Sequence, residues 1–188
     1  MARTQERDVI DLLLEQHEEI RALFVRVANA QGREKQEAFE ELVRLLAVHE
    51  TAEEEVVHPV ARREIDQGNQ IVEERLEEES DAKQALSELY DLGVDHPEFG
   101  PRLQELAEEV NRHATNEETE EFEALRQHVA PEQLQRMAGA VRTAESIAPT
   151  RPHPAAGESA MANLLAGPPL AMFDRVQDAI RDWQKRNE

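Results

Sequence analysis

The sequence predicts an all-α fold: an antiparallel up-down-up-down four-helix bundle with an additional C-terminal helix after a proline-rich linker. Three observations predict it. Glu outnumbers Asp by 32 to 9, only seven glycines occur, and aromatics make up 4% of the 188 residues. Helix formers therefore dominate and sheet formers are sparse. Hydrophobic residues recur at helical spacing along four long stretches. A glycine stands near the end of each of the first three, and the connections are short, which makes neighbouring helices antiparallel.

The first helix is expected over roughly Asp8–Ala30, ended by Gly32. The second runs from about Glu34 to Asp66 and stops at Gly68. The third, about Asn69–Leu92, ends at Gly93 and the loop Val94–Gly100. The fourth runs from Pro101 to about Val129. Pro131 suits the first position of a further helix that fades near Ala144. The segment APTRPHPAAGES reads as an extended linker. Beyond it Leu170, Phe173, Val176, Ile180 and Trp183 form an apolar stripe, which either docks on its own bundle or pairs two copies of the chain. The expected organisation is a bundle over 1–130, a short helix over 131–146, the linker over 147–168 and the amphipathic helix over 169–188.

Charge and composition exclude several functions. With 21 Lys+Arg against 41 Asp+Glu the formal charge is −20, so nucleic acid and anionic membrane are not expected partners. The absence of cysteine removes disulfides, thiolate catalysis and thiolate-bound metal clusters. No leader-like or membrane-spanning apolar run is legible, and the expectation is a cytoplasmic monomer or homodimer.

Ionisable residues then appear where apolar ones belong. With His49 at zero and about 100° per residue, Leu42, Leu45, Val56 and Val60 fall within about 40° of it, and Glu53 lies on the same stripe. His113 and Glu117 repeat the pair in the fourth helix, among Leu106, Val110 and Ala124. His17 sits among Ile10, Leu13, Ile20, Phe24 and Val27. At an offset of 64, His49, Glu53 and Glu54 match His113, Glu117 and Glu118, an internal repeat of two helices. An unpaired carboxylate in an apolar interior costs several kcal/mol, and a divalent cation removes that difficulty. Nitrogen and carboxylate donors without thiolate suit iron, manganese or zinc, and two Glu with three or more His suit a pair of irons. By the same arithmetic His58 points about 180° from His49, which gives it a structural or outer-shell role beside Pro59. His96, His128 and His153 receive no function, and Tyr90 belongs to the core.

These residues resemble the hemerythrin family, specifically the hemerythrin-like HHE cation-binding domain, over about residues 8–130. The resemblance rests on QHEEIRALF around His17, HETAEE at His49 and Glu53, and HATNEE at His113 and Glu117. It implies two non-haem iron ions held by His17, His49, Glu53, His113 and Glu117, with both Glu as bridges. It also implies O2, H2O2 or NO as the small-molecule ligand, in sensing, iron handling or oxidative-stress defence. A catalase-like or oxidase-like enzyme is an alternative, as is an acidic interaction module that has lost its metals. The family's third helix usually supplies histidine, and this one has none. At an offset of 63, Leu13 matches Leu76, Leu23 matches Leu86, and His17 matches Ser80. The replacement ligand is therefore expected to be Glu77, Ser80 through a water, or Glu73, with Glu79 ranked below them, leaving one firm and one labile iron. The spacing excludes ferritin-like di-iron bundles, because the one Glu–x–x–His pair, Glu55 with His58, lies on the outward side. It also lacks the zincin signature.

Overall fold

The structure is a computed structural model that describes residues 7–147 and 169–187. Among the described residues it is helical, with no strand. Helix α1 spans Val9–Asn29 and starts at a capping box, in which Asp8 accepts from Asp11 N–H at 2.9 Å and Asp11 accepts from Asp8 N–H at 3.2 Å. Helix α2 runs over Gly32–Ala52, passes through a π-helical turn at Glu53–Val57 and resumes as His58–Glu64. Helix α3 is Gly68–Leu92 and ends at Gly93, whose φ of 81° only glycine adopts without strain. Helix α4 repeats the layout of α2, with Phe99–Asn116, a π turn at Glu117–Phe122, and Glu123–His128. Helices α5 (Pro131–Ile147) and α6 (Pro169–Asn187) follow. The linker assigned to 147–168 lies outside the described residues apart from its first, and so does His153. None of the described helices is long and apolar enough to cross a membrane.

One boundary differs from expectation. Gly68 does not stop the second helix; α2 ends at Glu64, and Gly68 opens α3 after Gln67 in the left-handed region at φ 59°. The glycine is needed for packing: a Cβ there would lie 2.2 Å from the carbonyl oxygen of Ala61.

Helices α1–α4 form the up-down-up-down bundle. Helix α5 packs across α1 and α2, and α6 packs on α2, α3 and α5. The apolar stripe of α6 is thus used within its own chain, with Met172, Phe173, Val176 and Ile180 buried. The core falls into two apolar halves. One joins Phe39, Leu42, Leu46, Leu86, Phe99 and Leu106, with Tyr90 half-buried against it. The other joins Ile10, Leu13, Val48, Val57, Val72, Phe122, Leu125 and Ile180. Between them lies a buried polar layer that includes Gln16, His17, His49, Glu53, His58, Arg75, Glu79, His113, Glu117 and Glu121.

Candidate metal centre

Every bundle helix feeds this layer. Nε2 of His17 (α1) lies 2.9 Å from Nε2 of His49 (α2) and 3.3 Å from Oε2 of Glu117 (α4). Nε2 of His49 lies 3.4 Å from Oε2 of Glu53, and Nε2 of His113 lies 3.2 Å from Oε1 of Glu117. Two ligand sets result, each with donor atoms within 4.8 Å of one another: His17, His49, Glu53 and Glu117, and Glu53, Glu79, His113 and Glu117. Glu53 and Glu117 belong to both. All five residues singled out first from the sequence therefore meet at one place.

The imidazoles are held from behind. His17 Nδ1 donates to Glu118 at 2.7 Å, His49 Nδ1 to Gln16 at 2.9 Å and His113 Nδ1 to Glu78 at 2.9 Å. A proton on Nδ1 leaves the Nε2 lone pair facing the centre, the tautomer a cation requires. These acceptors are anchored in turn: Glu118 by Arg21 at 2.9 Å, Glu78 by Arg75 at 3.0 Å and Asn116 at 2.9 Å. Gln16 donates to Glu145 on α5 at 2.8 Å. Sequence reasoning assigned no role to Gln16, Glu78 or Glu118. Each stands beside an inward residue in the chain, which is the signal that could have found them.

The third-helix expectation is corrected. Glu73, Glu77 and Ser80 are exposed, and Glu79 occupies the layer at 1% exposure. The inward stripe of α3 is Val72, Arg75, Glu79, Ala82, Leu86 and Leu89. It matches Ile10, Leu13, His17, Ile20, Phe24 and Val27 of α1 at a constant offset of 62, not 63. Glu79 is thus the counterpart of His17, Glu78 of Gln16, and Lys83 of Arg21. Lys83 pairs with Glu54 as Arg21 pairs with Glu118.

His58 is also turned the other way from the helical arithmetic. Its N–H bonds to Glu53 C=O, closing the π turn. A π turn is wider than the α-helical one, advances each residue by less than about 100°, and so brings the side chain round into the layer. His58 is 2% exposed and lies 2.8 Å from Glu79 and 3.0 Å from Glu121. In both α2 and α4 the π turn begins at the Glu of the His–x–x–x–Glu pair, and π turns of this kind concentrate at functional sites.

Electrostatically the layer is under stress. Burial, reinforced by Glu117 and Glu79, pushes Glu53 well above the carboxylate range. Glu117 goes well below it, because His113 and His17 outweigh its burial. Burial and the neighbouring His17 hold His49 well below the usual imidazole value. Against burial, Glu117 and Glu78 lift His113 to about 11, and Glu121 and Glu79 lift His58 to about 10. Burial lifts Glu79 to about 7, with His58 opposing it. Glu50 rises to about 8 through burial and the charge of Glu79. Both oxygens of Glu53 and of Glu117, one oxygen of Glu79 and Nε2 of His113 make no hydrogen bond among the described residues. Buried polar atoms are normally satisfied. Orphaned carboxylate oxygens and imidazole lone pairs converging on one spot fit divalent cations.

These shifts give a pH dependence. Glu50, Glu53, Glu79, His58 and His113 are all raised on folding, so each contributes stability that is complete below its unfolded value and lost as pH rises through its folded one. Raising chelated protein from about pH 6 to about pH 9 crosses the values of Glu79 and Glu50 and should lower Tm by roughly 10 °C or more. Calorimetry of metal-free protein checks this; a Tm that rises over the same range contradicts it.

Comparison with known proteins agrees with the geometry. The family model described as hemerythrin HHE cation binding domain matches residues 8–125. A protein named DNA nickase from Nostoc sp. is 29% identical over 143 residues, which is 76% of this chain but 40% of that protein. An uncharacterized hemerythrin-like protein from Schizosaccharomyces pombe is 27% identical over 139 residues, covering 73% of this chain and 68% of that one. In fold, the chain matches the crystal structure of a hemerythrin HHE cation-binding domain-containing protein from Mycobacterium kansasii. The TM-score is 0.71 at 18% identity, over 89% of this chain and 98% of that chain.

Proposed function

This chain belongs to the hemerythrin HHE cation-binding domain family, and on that premise we propose that it is a non-haem di-iron protein that binds a small oxidant, O2, peroxide or NO. The observation that carries the reading is the sharing of Glu53 and Glu117 between two ligand sets. His17 and His49 would hold one ion, His113 and Glu79 the other, and the two shared carboxylates both. Iron bound there supplies the redox equivalents that such a ligand requires.

The protein's own residues do the rest. Gln16, Glu78 and Glu118 fix the imidazole tautomers. A cavity of about 10 Å³ borders His17, His49 and His113 and is walled by Ile20, Leu46, Val110 and Ala114. That is room for about one water-sized molecule, so the cavity selects for small size. Arg21 donates to Asn111 at 3.2 Å, and both residues line the cavity.

The orphaned buried carboxylates argue against a metal-free interaction module, since without cations they cost stability and contribute nothing. The Nostoc nickase is two and a half times as long as the matched region, and a charge of −20 opposes approach to a phosphate backbone, so its named activity is not carried over. The test is a metal count with an optical spectrum on protein loaded anaerobically with Fe²⁺ and then oxidised. Two irons per chain and a near-ultraviolet charge-transfer band are expected. One iron per chain, or a preference for spectroscopically silent zinc over iron, overturns the di-iron reading.

A further inference from the structure

Resting on the two-ion reading above, we propose that His58 is a direct ligand of the second cation, the one beside Glu79 and His113, and that Glu121 holds its ring in place. Four imidazoles enter the polar layer, and all four are held alike. His17, His49 and His113 each give Nδ1–H to a side-chain acceptor and turn Nε2 inward. His58 repeats the arrangement, with Nδ1 at 3.0 Å from Glu121 Oε1 and Nε2 at 2.8 Å from Glu79 Oε1. An acceptor behind one ring nitrogen, with the other nitrogen turned toward the carboxylates of the layer, is how proteins present imidazole to a metal.

The spacing agrees. Two donor atoms bound about 2.1 Å from one ion, at about a right angle, lie about 3 Å apart. Nε2 of His17 and Nε2 of His49 are separated by 2.9 Å, and His58 Nε2 and Glu79 Oε1 by 2.8 Å. A donor atom of His58 also lies within 4.8 Å of the shared carboxylate Glu117.

The internal repeat explains why the chain needs this residue. At the offset of 64 that relates α2 to α4, His58 stands where Phe122 stands in the other half. Phe122 merely stacks on His17, ring centroids 5.7 Å apart. In space, however, His58 lies against Glu79 and Phe122 against His17, so the ligand set that has Glu79 in place of His17 has an imidazole where the other has phenyl. The donor lost from α3 returns on α2. On this assignment His58 joins the four residues of the second set, while the first set keeps its four.

Co²⁺ titration tests this without reference to activity. Wild-type protein should bind two equivalents. His58→Gln, shown to be folded by circular dichroism, should keep one tight equivalent and bind the second at least roughly ten-fold more weakly. Two equivalents at wild-type affinity in that variant overturn the assignment. A count on the unaltered protein guards against misfolding: Co²⁺-loaded wild type should show four strongly shifted, exchangeable imidazole N–H signals by NMR, and three overturn the assignment. A wild-type protein that takes up fewer than two ions overturns the two-ion reading itself, and this inference with it.

Discussion

On the two-ion reading, Glu117→Gln should strip both cations from the protein, whereas His49→Ala should cost only the first. One carboxylate faces both ligand sets, with Oε2 at 3.3 Å from His17 and Oε1 at 3.2 Å from His113. Glutamine has nearly the same volume, so the fully buried site stays packed and the change is one of charge and donor strength. Because removal of a mere outer partner already costs about 10–100-fold in metal affinity, loss of a shared ligand should cost roughly 100-fold or more at each ion. His49 contacts only the first set, so its alanine variant should retain one tight ion. Metal content after dialysis and calorimetric titration separate the two patterns. If Glu117→Gln keeps one ion at wild-type affinity, the carboxylate is not shared and the two-metal arrangement is wrong.

Chelation produces the second large effect. A ligand present at about 1,000 times its Kd adds about 4 kcal/mol to the stability of the state it binds. Two such ions add about 8 kcal/mol, and at roughly 2–4 °C per kcal/mol for a chain of this size the melting temperature should drop by about 15–30 °C when they are removed. The structural reason is the set of carboxylate oxygens on Glu53, Glu79, Glu117 and Glu121 that lack a hydrogen bond without a cation. Thermal melts with and without chelator measure the drop. An unchanged Tm would mean that the polar layer satisfies itself through internal ion pairs such as His58 with Glu79 and Glu121.

Much of this was legible in the sequence. The His–x–x–x–Glu pairs fall on apolar stripes because α2 and α4 are regular up to Ala52 and Asn116, so helical arithmetic places His49, Glu53, His113 and Glu117 correctly. It fails just beyond, at His58, because nothing in EEEVV announces a π turn. The third-helix ligand was missed for a different reason. Matching leucines set the repeat at 63, yet Leu76 only flanks the core while the buried stripe runs through Arg75 and Glu79, two charged residues that hydrophobic matching ignores. Gly68 was misread because a glycine that permits close approach and one that ends a helix look alike in a sequence. The outer acceptors were hidden among runs of Glu, where burial alone distinguishes Glu79 from exposed Glu77.

The two-fold pattern of the bundle has a mechanical consequence. The first ligand set takes three residues from the α1–α2 hairpin and Glu117 from the other; the second takes three from the α3–α4 hairpin and Glu53 from the first. A cation in either place ties the two hairpins together in the middle of the fold, far along the chain from the three-residue turn that joins them. With such cations bound, a chain with no cysteine would have inorganic cross-links in the role disulfides play elsewhere, and its hairpins would swing apart or exchange with those of a second copy only after the ions had left.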